Sequence, residues 1–474
     1  MRMIPLSKID RKITPRGYQK LILDLIKLHT DKQKSVLLEL DCGMGKRVVT
    51  YELLTSIFPS KKILLIVLSS SSLHETKDFL ENEYGGVNGF NWLGPGTSNT
   101  YAQKIIKESR VILCTPQKLA NILNKAPVAV YESFDIIIIN EIDKLVRRMG
   151  SSRVLVYPWS DLLDKLRSSL IIGMSGTLRD SHYVLDEDQL EIRKELDTIV
   201  EFIPNVEMIY MDYLAGTDVT EFTKITTIET IGVEDQSISE ISAIIGDQLK
   251  EAYAAIRAEL EAEDPEYFTQ AQKIGPQALL QAPVSESLRS RAQSLTLLRK
   301  YLFSMMPNQL KKFLWKVPGI DPSKLQVTPQ KVNQVVQIAK SCNKTVVLCS
   351  YIATAKMICN YLTREKIKPF LITGQIFDKN AILQEFRKYN GRAALIMSPV
   401  GERDIDLPEA DKLIIFDSVR TIKTVYQQLK RIRGGNGIFL YYENSYEARK
   451  VQSIISTLLE RYPWSTKVIS KDIT

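Results

Sequence analysis

Two stretches of this sequence alternate short apolar runs with amphipathic segments, and that alternation permits few folds. In the first, from about residue 15 to about 210, the runs are Val36–Leu40, Ile63–Leu68, Val111–Thr115, Phe134–Ile139 and Leu170–Met174, all rich in Val, Ile and Leu. Strands buried on both faces read this way, because helices cover both sides of a parallel sheet. A second block begins near residue 328. There Thr328-Pro329 reads as an N-cap and first-turn pair, with Val332, Val335, Val336 and Ala339 on one helical face. Strands are predicted after it at Val346–Cys349, Pro369–Ile372, Ala394–Met397, Lys412–Phe416 and Gly437–Tyr441. The expectation is an α/β chain with two βαβ-type blocks.

The middle of the chain, about residues 225–325, follows a different period. Ile238, Ile241, Ile245, Leu249, Tyr253, Ile256 and Leu260 recur at three- and four-residue spacing, after a Ser237-Ile238-Ser239-Glu240 capping box. The first half of this region is acidic (Glu251, Glu259, Glu261, Glu263) and the second half basic (Arg289, Arg291, Arg299, Lys300, Lys311, Lys312, Lys316). Three parts are therefore expected: 1–220, a helical insertion at 221–327, and 328–474.

At 474 residues the chain can bury more than one core, and 44% apolar with 25% charged residues is ordinary for a globular protein. The longer apolar runs, such as Leu64–Leu68 and Ile136–Ile139, are strand-sized rather than membrane-sized. Five single cysteines without a CxxC pair, and only three histidines, argue against a disulfide framework or a zinc site. These features predict an intracellular, cytoplasmic protein with no bound structural metal. A net charge of +8 is compatible with a polyanionic partner.

Chemistry concentrates where apolar strands end. After the first strand comes Leu40-Asp41-Cys42-Gly43-Met44-Gly45-Lys46-Arg47. Gly43 and Gly45 let backbone N–H groups approach phosphates, and Lys46 at a helix start can reach the β- and γ-phosphates. Upstream, Gln19 beside Tyr18 offers an amide able to read an adenine edge. Ile136–Ile139 runs into Asn140-Glu141-Ile142-Asp143, a strand ending in acids, and Ser175-Gly176-Thr177 follows a further strand. In the second block, Ser398–Pro408 precedes Lys412–Phe416, and Gln427-Gln428-Leu429-Lys430-Arg431-Ile432-Arg433 lies beyond. An arginine such as Arg431 can stabilise charge developing on a γ-phosphate.

Together with Thr115-Pro116-Gln117, the passage Lys331–Tyr351 and Val400–Pro408, these segments resemble the superfamily-2 helicases, above all the Hef and FANCM branch of fork-remodelling helicases. The resemblance spans nearly the whole chain. It implies two RecA-like domains, parallel sheets flanked by helices, with a helical insertion that such proteins use on branched DNA. It also implies ATP as cofactor with Gln19, Gly43, Gly45, Lys46 and Arg47 around it, catalytic roles for Glu141 and Arg431, and backbone contacts to nucleic acid from Ser69, Thr115, Ser350 and Ser398.

The sequence departs from that family where the chemistry sits. Arg47 stands where the pattern has a Mg²⁺-binding Ser or Thr, and Asn140 where it has the metal-contacting Asp. A unit-charge pair 4 Å apart interacts by roughly 4 kcal/mol at an effective dielectric of about 20, so an arginine beside the ion disfavours it unless it swings away or pairs with Glu141. Asp404 replaces a glycine, while Lys430 and Gly434 replace a glycine and an arginine of the last motif, leaving Arg433 out of register. The expectation is a DNA-binding pseudo-helicase with weak ATP binding, doubtful Mg²⁺ and little hydrolysis. Retained Lys46 and Glu141 keep an active Hef-type helicase as the alternative. A scaffold working with a repair nuclease in trans is the third reading.

Overall fold

The computed structural model describes residues 14–41, 43–83, 85–125, 133–149, 152–155, 169–178, 181–186, 189–203, 205–223, 225–376, 378–398, 408–417, 422–431, 436–463 and 466–469, with the single positions 159, 162 and 166. The chain divides into two compact units, Met1–Asp186 with Glu191–Thr223, and Lys224–Thr474 with Glu187–Leu190.

The first unit is built on a seven-stranded parallel sheet. Its strands are β1 (Ser35–Glu39), β2 (Ile63–Ile66), β3 (Phe90–Trp92), β4 (Val111–Cys114), β5 (Ile136–Asn140), β6 (Leu170–Ser175) and β7 (Val206–Ile209). They lie side by side in the order β7-β1-β6-β5-β2-β4-β3. Every residue of β1, β2 and β4 is buried, which explains why those runs carry no polar alternation. Gly173 in β6 is fixed by packing: a Cβ there would lie 2.2 Å from Ile142 and 2.7 Å from Leu37. The short turn after β5 can therefore sit directly against the sheet.

The second unit repeats the plan with β8 (Thr226–Val233), β9 (Lys344–Leu348), β10 (Lys368–Ile372), β11 (Ala393–Met397), β12 (Lys412–Ile415), β13 (Asn436–Tyr442) and β14 (Thr466–Val468), ordered β10-β11-β9-β12-β13-β8-β14 and all parallel. Alternate residues of one strand enter different cores. Val346 and Leu348 pack with Phe370, Phe386 and Leu395, whereas Val347 and Cys349 pack with Val335, Ile358 and Leu362. Both faces of the sheet are thus covered by helices.

The helical insertion rises from this second sheet. Gln236–Glu263, 28 residues long, packs along Glu286–Leu302, with Pro265–Ile274 and Pro307–Leu314 completing it. Its base is a shared core in which Ile238, Ile241 and Ile245 meet Leu302, Leu310, Leu314 and Tyr442. The apolar stripe read from the sequence is buried as expected, apart from a half-buried Tyr253.

Three local expectations are corrected. The long helix is capped by Asp235, not Ser237: its carboxylate accepts from Ile238 N at 3.2 Å and from the Ser237 hydroxyl at 2.7 Å, an ionised acceptor displacing a neutral one. Thr328 is not a cap either; its hydroxyl bonds Tyr361 and the helix Gln330–Lys340 starts from Pro329. Finally, Thr226–Val233, placed by sequence inside the insertion, is a strand between β13 and β14. Its polar half, Thr227 and Glu229, hid it.

Candidate nucleotide site and nucleic-acid track

In the first unit the chain leaves β1 and turns through Gly43 (φ +81°) and Gly45 (φ +79°) into the helix Lys46–Glu52. Both glycines adopt the left-handed conformation that side chains disfavour. At Gly45 there is also no room, since a Cβ would lie 2.3 Å from Gln19 Nε2. The loop is clamped from the helix Gly17–Asp31. Tyr18 donates its hydroxyl to Met44 O at 2.8 Å, and Gln19 donates to the same carbonyl at 3.1 Å. The Gln19 Oε1 accepts Arg16 N at 2.9 Å. The amide expected to read adenine is therefore engaged at both ends within the protein. The start of that helix is pinned by Asp218, whose carboxylate accepts Gly17 N at 2.9 Å and Tyr18 N at 2.6 Å.

Lys46 lies half-buried. Its ammonium donates to Leu40 O at 3.2 Å and stands 3.7 Å from Glu141 Oε1, while Glu141 also faces Lys144 at 3.3 Å. Glu141 takes φ +60°, in the left-handed region uncommon for a non-glycine residue, and its carboxylate faces both lysines. Of the two routes open to Arg47, the structure takes the first: it turns away, to Glu75 of the helix Ser70–Asp78, at 2.5 Å. Both partners are close to half exposed, so this pair holds the arginine only weakly. Asn140 Oδ1 is buried and has no hydrogen-bond partner among the described residues.

Asp143 is a site residue that the sequence reading left without a role. It is wholly buried, and its two oxygens accept the Ser175 hydroxyl at 2.5 Å and the Thr177 hydroxyl at 3.0 Å. The signal was present in an acid two residues beyond Glu141 and a hydroxyl pair after the next strand. The structure joins the two segments through one carboxylate.

A bound Mg²⁺ needs hard oxygen donors, several of them charged. Beside a nucleotide it takes one or two of these from the protein and the rest from phosphates and water, and at the two positions that the resemblance assigns to it stand a guanidinium and a neutral amide. That donor set does not fit the ion. The glycine turn and Lys46 do fit an anionic phosphate.

The expected nucleic-acid residues fall into two matched pairs. Ser69 and Thr115 follow β2 and β4, adjacent strands, and each caps the next helix by accepting from Ser72 N or Lys118 N. Ser350 and Ser398 follow β9 and β11, also adjacent. In each unit two hydroxyl residues thus follow neighbouring strands at the carboxyl edge of a parallel sheet, where ligands of open α/β folds gather. The Ser350 hydroxyl donates a hydrogen bond to Asp417, whose carboxylate also accepts Ser350 N at 2.7 Å; Ser398 is buried. Behind them lies a fully buried ion pair. Lys331 Nζ is 2.6 Å from Glu447 Oε2 and donates to Phe416 O at 3.0 Å, and Glu447 accepts Tyr442 N at 3.0 Å. Burial pushes the Lys331 ammonium down and the Glu447 carboxyl up, and their mutual attraction opposes both shifts.

Arg431 ends the helix Ile422–Arg431. Asp404 and Asp406, and Arg433 with Gly434, lie outside the described residues. No helix among the described residues is long and apolar enough to cross a membrane.

Two family models match the chain, the res subunit of type III restriction enzymes over residues 12–180 and the helicase conserved C-terminal domain over residues 330–435. No curated protein matches it by sequence. Among solved structures, the Hef helicase domain of Pyrococcus furiosus superposes with a TM-score of 0.58 at 17% identity, covering 93% of this chain and 98% of that one. With two parallel-sheet units, a glycine turn and lysine after the first strand, and both matched domains in order, the chain belongs to the superfamily-2 helicases and has the fold of the Hef helicase domain.

Proposed function

We propose that this chain binds forked or branched DNA as a pseudo-helicase, holding ATP weakly and without Mg²⁺, so that hydrolysis is slow or lost. The observation that carries the reading is the carboxyl end of β5. There a neutral amide with an unsatisfied buried oxygen, Asn140, takes the place of a metal-binding carboxylate, one residue before Glu141. Arg47, in place of a hydroxyl, is paired elsewhere with Glu75. Phosphate recognition keeps its parts in the glycine turn and Lys46, with Glu141 and Arg431 as the retained catalytic types. Ser69, Thr115, Ser350 and Ser398 supply backbone contacts that position a strand without reading its sequence. A second reading, an active Hef-type helicase, rests on Lys46 and Glu141 standing 3.7 Å apart.

Fluorescence anisotropy with labelled forked DNA tests the binding half of this reading. Binding is expected to persist in EDTA and to weaken with salt, log K falling by about 0.9 per phosphate neutralised on duplex arms for each tenfold rise in salt. Failure to bind fork, single strand or duplex at low salt would overturn it.

A further inference from the structure

The insertion carries an exposed aromatic and basic face that packing inside the protein does not explain. In the helix Pro307–Leu314, Pro307, Leu310 and Leu314 are buried, which turns Lys312 and Phe313 outward. Trp315 follows immediately and is 70% exposed, with Phe313 at 44% and Lys316 also exposed. Aromatic rings contribute more than other side chains to burial energetics, so two of them left in water mark a surface with a use. Around them Lys311, Lys312 and Lys316 form no ion pair among the described residues. Asp321, on which the Lys311 charge acts, is occupied by Ser323: hydrogen bonds from that residue, and then the charges of Lys324 and Lys311, hold its carboxyl below the ordinary range.

Within the second unit this face is continuous with the hydroxyl track. The Phe313 ring lies 5.7 Å from Tyr301, and Tyr301 lies 6.0 Å from Tyr351, the residue after Ser350. The same unit carries further cations. The Arg299 guanidinium sits 3.5 Å over the Tyr446 ring, and Lys300 stands close enough to Lys450 to add to the lowering of its ammonium that burial begins. A protein partner fits less well, because lysine is depleted at protein–protein interfaces, whereas lysines interleaved with exposed aromatics are the make-up of single-strand binding surfaces.

We propose that the face formed by Phe313, Trp315, Lys311, Lys312 and Lys316 is a stacking platform for unpaired bases of single-stranded DNA, extending the Ser350 track onto the insertion. This inference rests on the DNA-binding reading above and specifies which part of a fork the insertion holds: an unpaired arm rather than duplex.

The test uses the full chain with an oligo(dT) strand, an abasic strand of the same length and a blunt duplex, read by anisotropy. Trp315→Ala is expected to weaken oligo(dT) binding roughly fivefold to a hundredfold, the effect of losing one stacked base. Duplex and abasic affinities should change less than about twofold, because the lysines still meet the phosphates. Trp315→Tyr should restore oligo(dT) binding, whereas Lys311→Ala with Lys312→Ala should weaken binding to all three probes. Wild-type affinity of Trp315→Ala for oligo(dT), or an equal loss on the abasic strand, overturns the platform while leaving DNA binding intact, and in that case the face is a protein-docking surface. Absence of binding by the unaltered chain overturns both readings.

Discussion

Lys331→Met is expected to lower the stability of the second unit by about 3–5 kcal/mol, the cost of leaving one buried charge without its partner. Both side chains are 0% exposed, so water cannot compensate Glu447 once the ammonium is gone. The companion variant separates this from a packing defect. Lys331→Met together with Glu447→Leu removes both charges, and is expected to recover all but about 1–2 kcal/mol, the residual deficit being the lost acceptor for Tyr442 N. Urea unfolding of the full chain followed by far-UV circular dichroism reads both values. A single variant costing less than about 1 kcal/mol, or a double variant no better than the single, would show that the pair is not what holds Phe416 against the helix Gln330–Lys340. Because Asp417 follows Phe416 and receives Ser350, the same variants are expected to weaken DNA binding before they unfold the chain.

The buried strands β1, β2, β4, β5 and β6 were legible because each is apolar on both faces, and so were β9 to β13 of the second sheet. The strands missed were Thr226–Val233, interior to the second sheet but with polar residues along it, and the short Phe90–Trp92 with an exposed Asn91, Val206–Ile209 and Thr466–Val468 at sheet edges. An edge strand buries too little to write a continuous apolar run. The glycine turn was legible because only glycine takes φ near +80° cheaply, whereas the direction of Arg47 was not. Its choice of Glu75 over Glu141 depends on where the helix Ser70–Asp78 falls in space. Asp143 was visible as a residue but not as a link, since its partners lie 32 and 34 positions away.

The second large effect concerns turnover. A metal ion supplies several kcal/mol of transition-state charge stabilisation, and each 1.4 kcal/mol is about tenfold in rate. With Mg²⁺, ATP and forked DNA, steady-state turnover is therefore expected roughly a thousandfold below the ~10 s⁻¹ typical of enzymes. Arg47→Thr with Asn140→Asp restores a hydroxyl and a carboxylate next to Lys46 and Glu141, and is expected to raise turnover at least about tenfold. Full recovery is not expected, because Lys430 and Gly434 still stand where the family has a glycine and an arginine. Turnover near ~10 s⁻¹ in the unaltered chain, or no change in the double variant, would contradict this account of the site.

The most direct measurement of the central claim is isothermal titration of ATP into the full chain, once with Mg²⁺ and once with EDTA. A site whose metal positions carry Arg47 and Asn140 predicts weak binding of equal or greater affinity in EDTA, and loss of that binding in Lys46→Ala. Binding that tightens tenfold or more when Mg²⁺ is supplied would show a working metal centre and contradict the account.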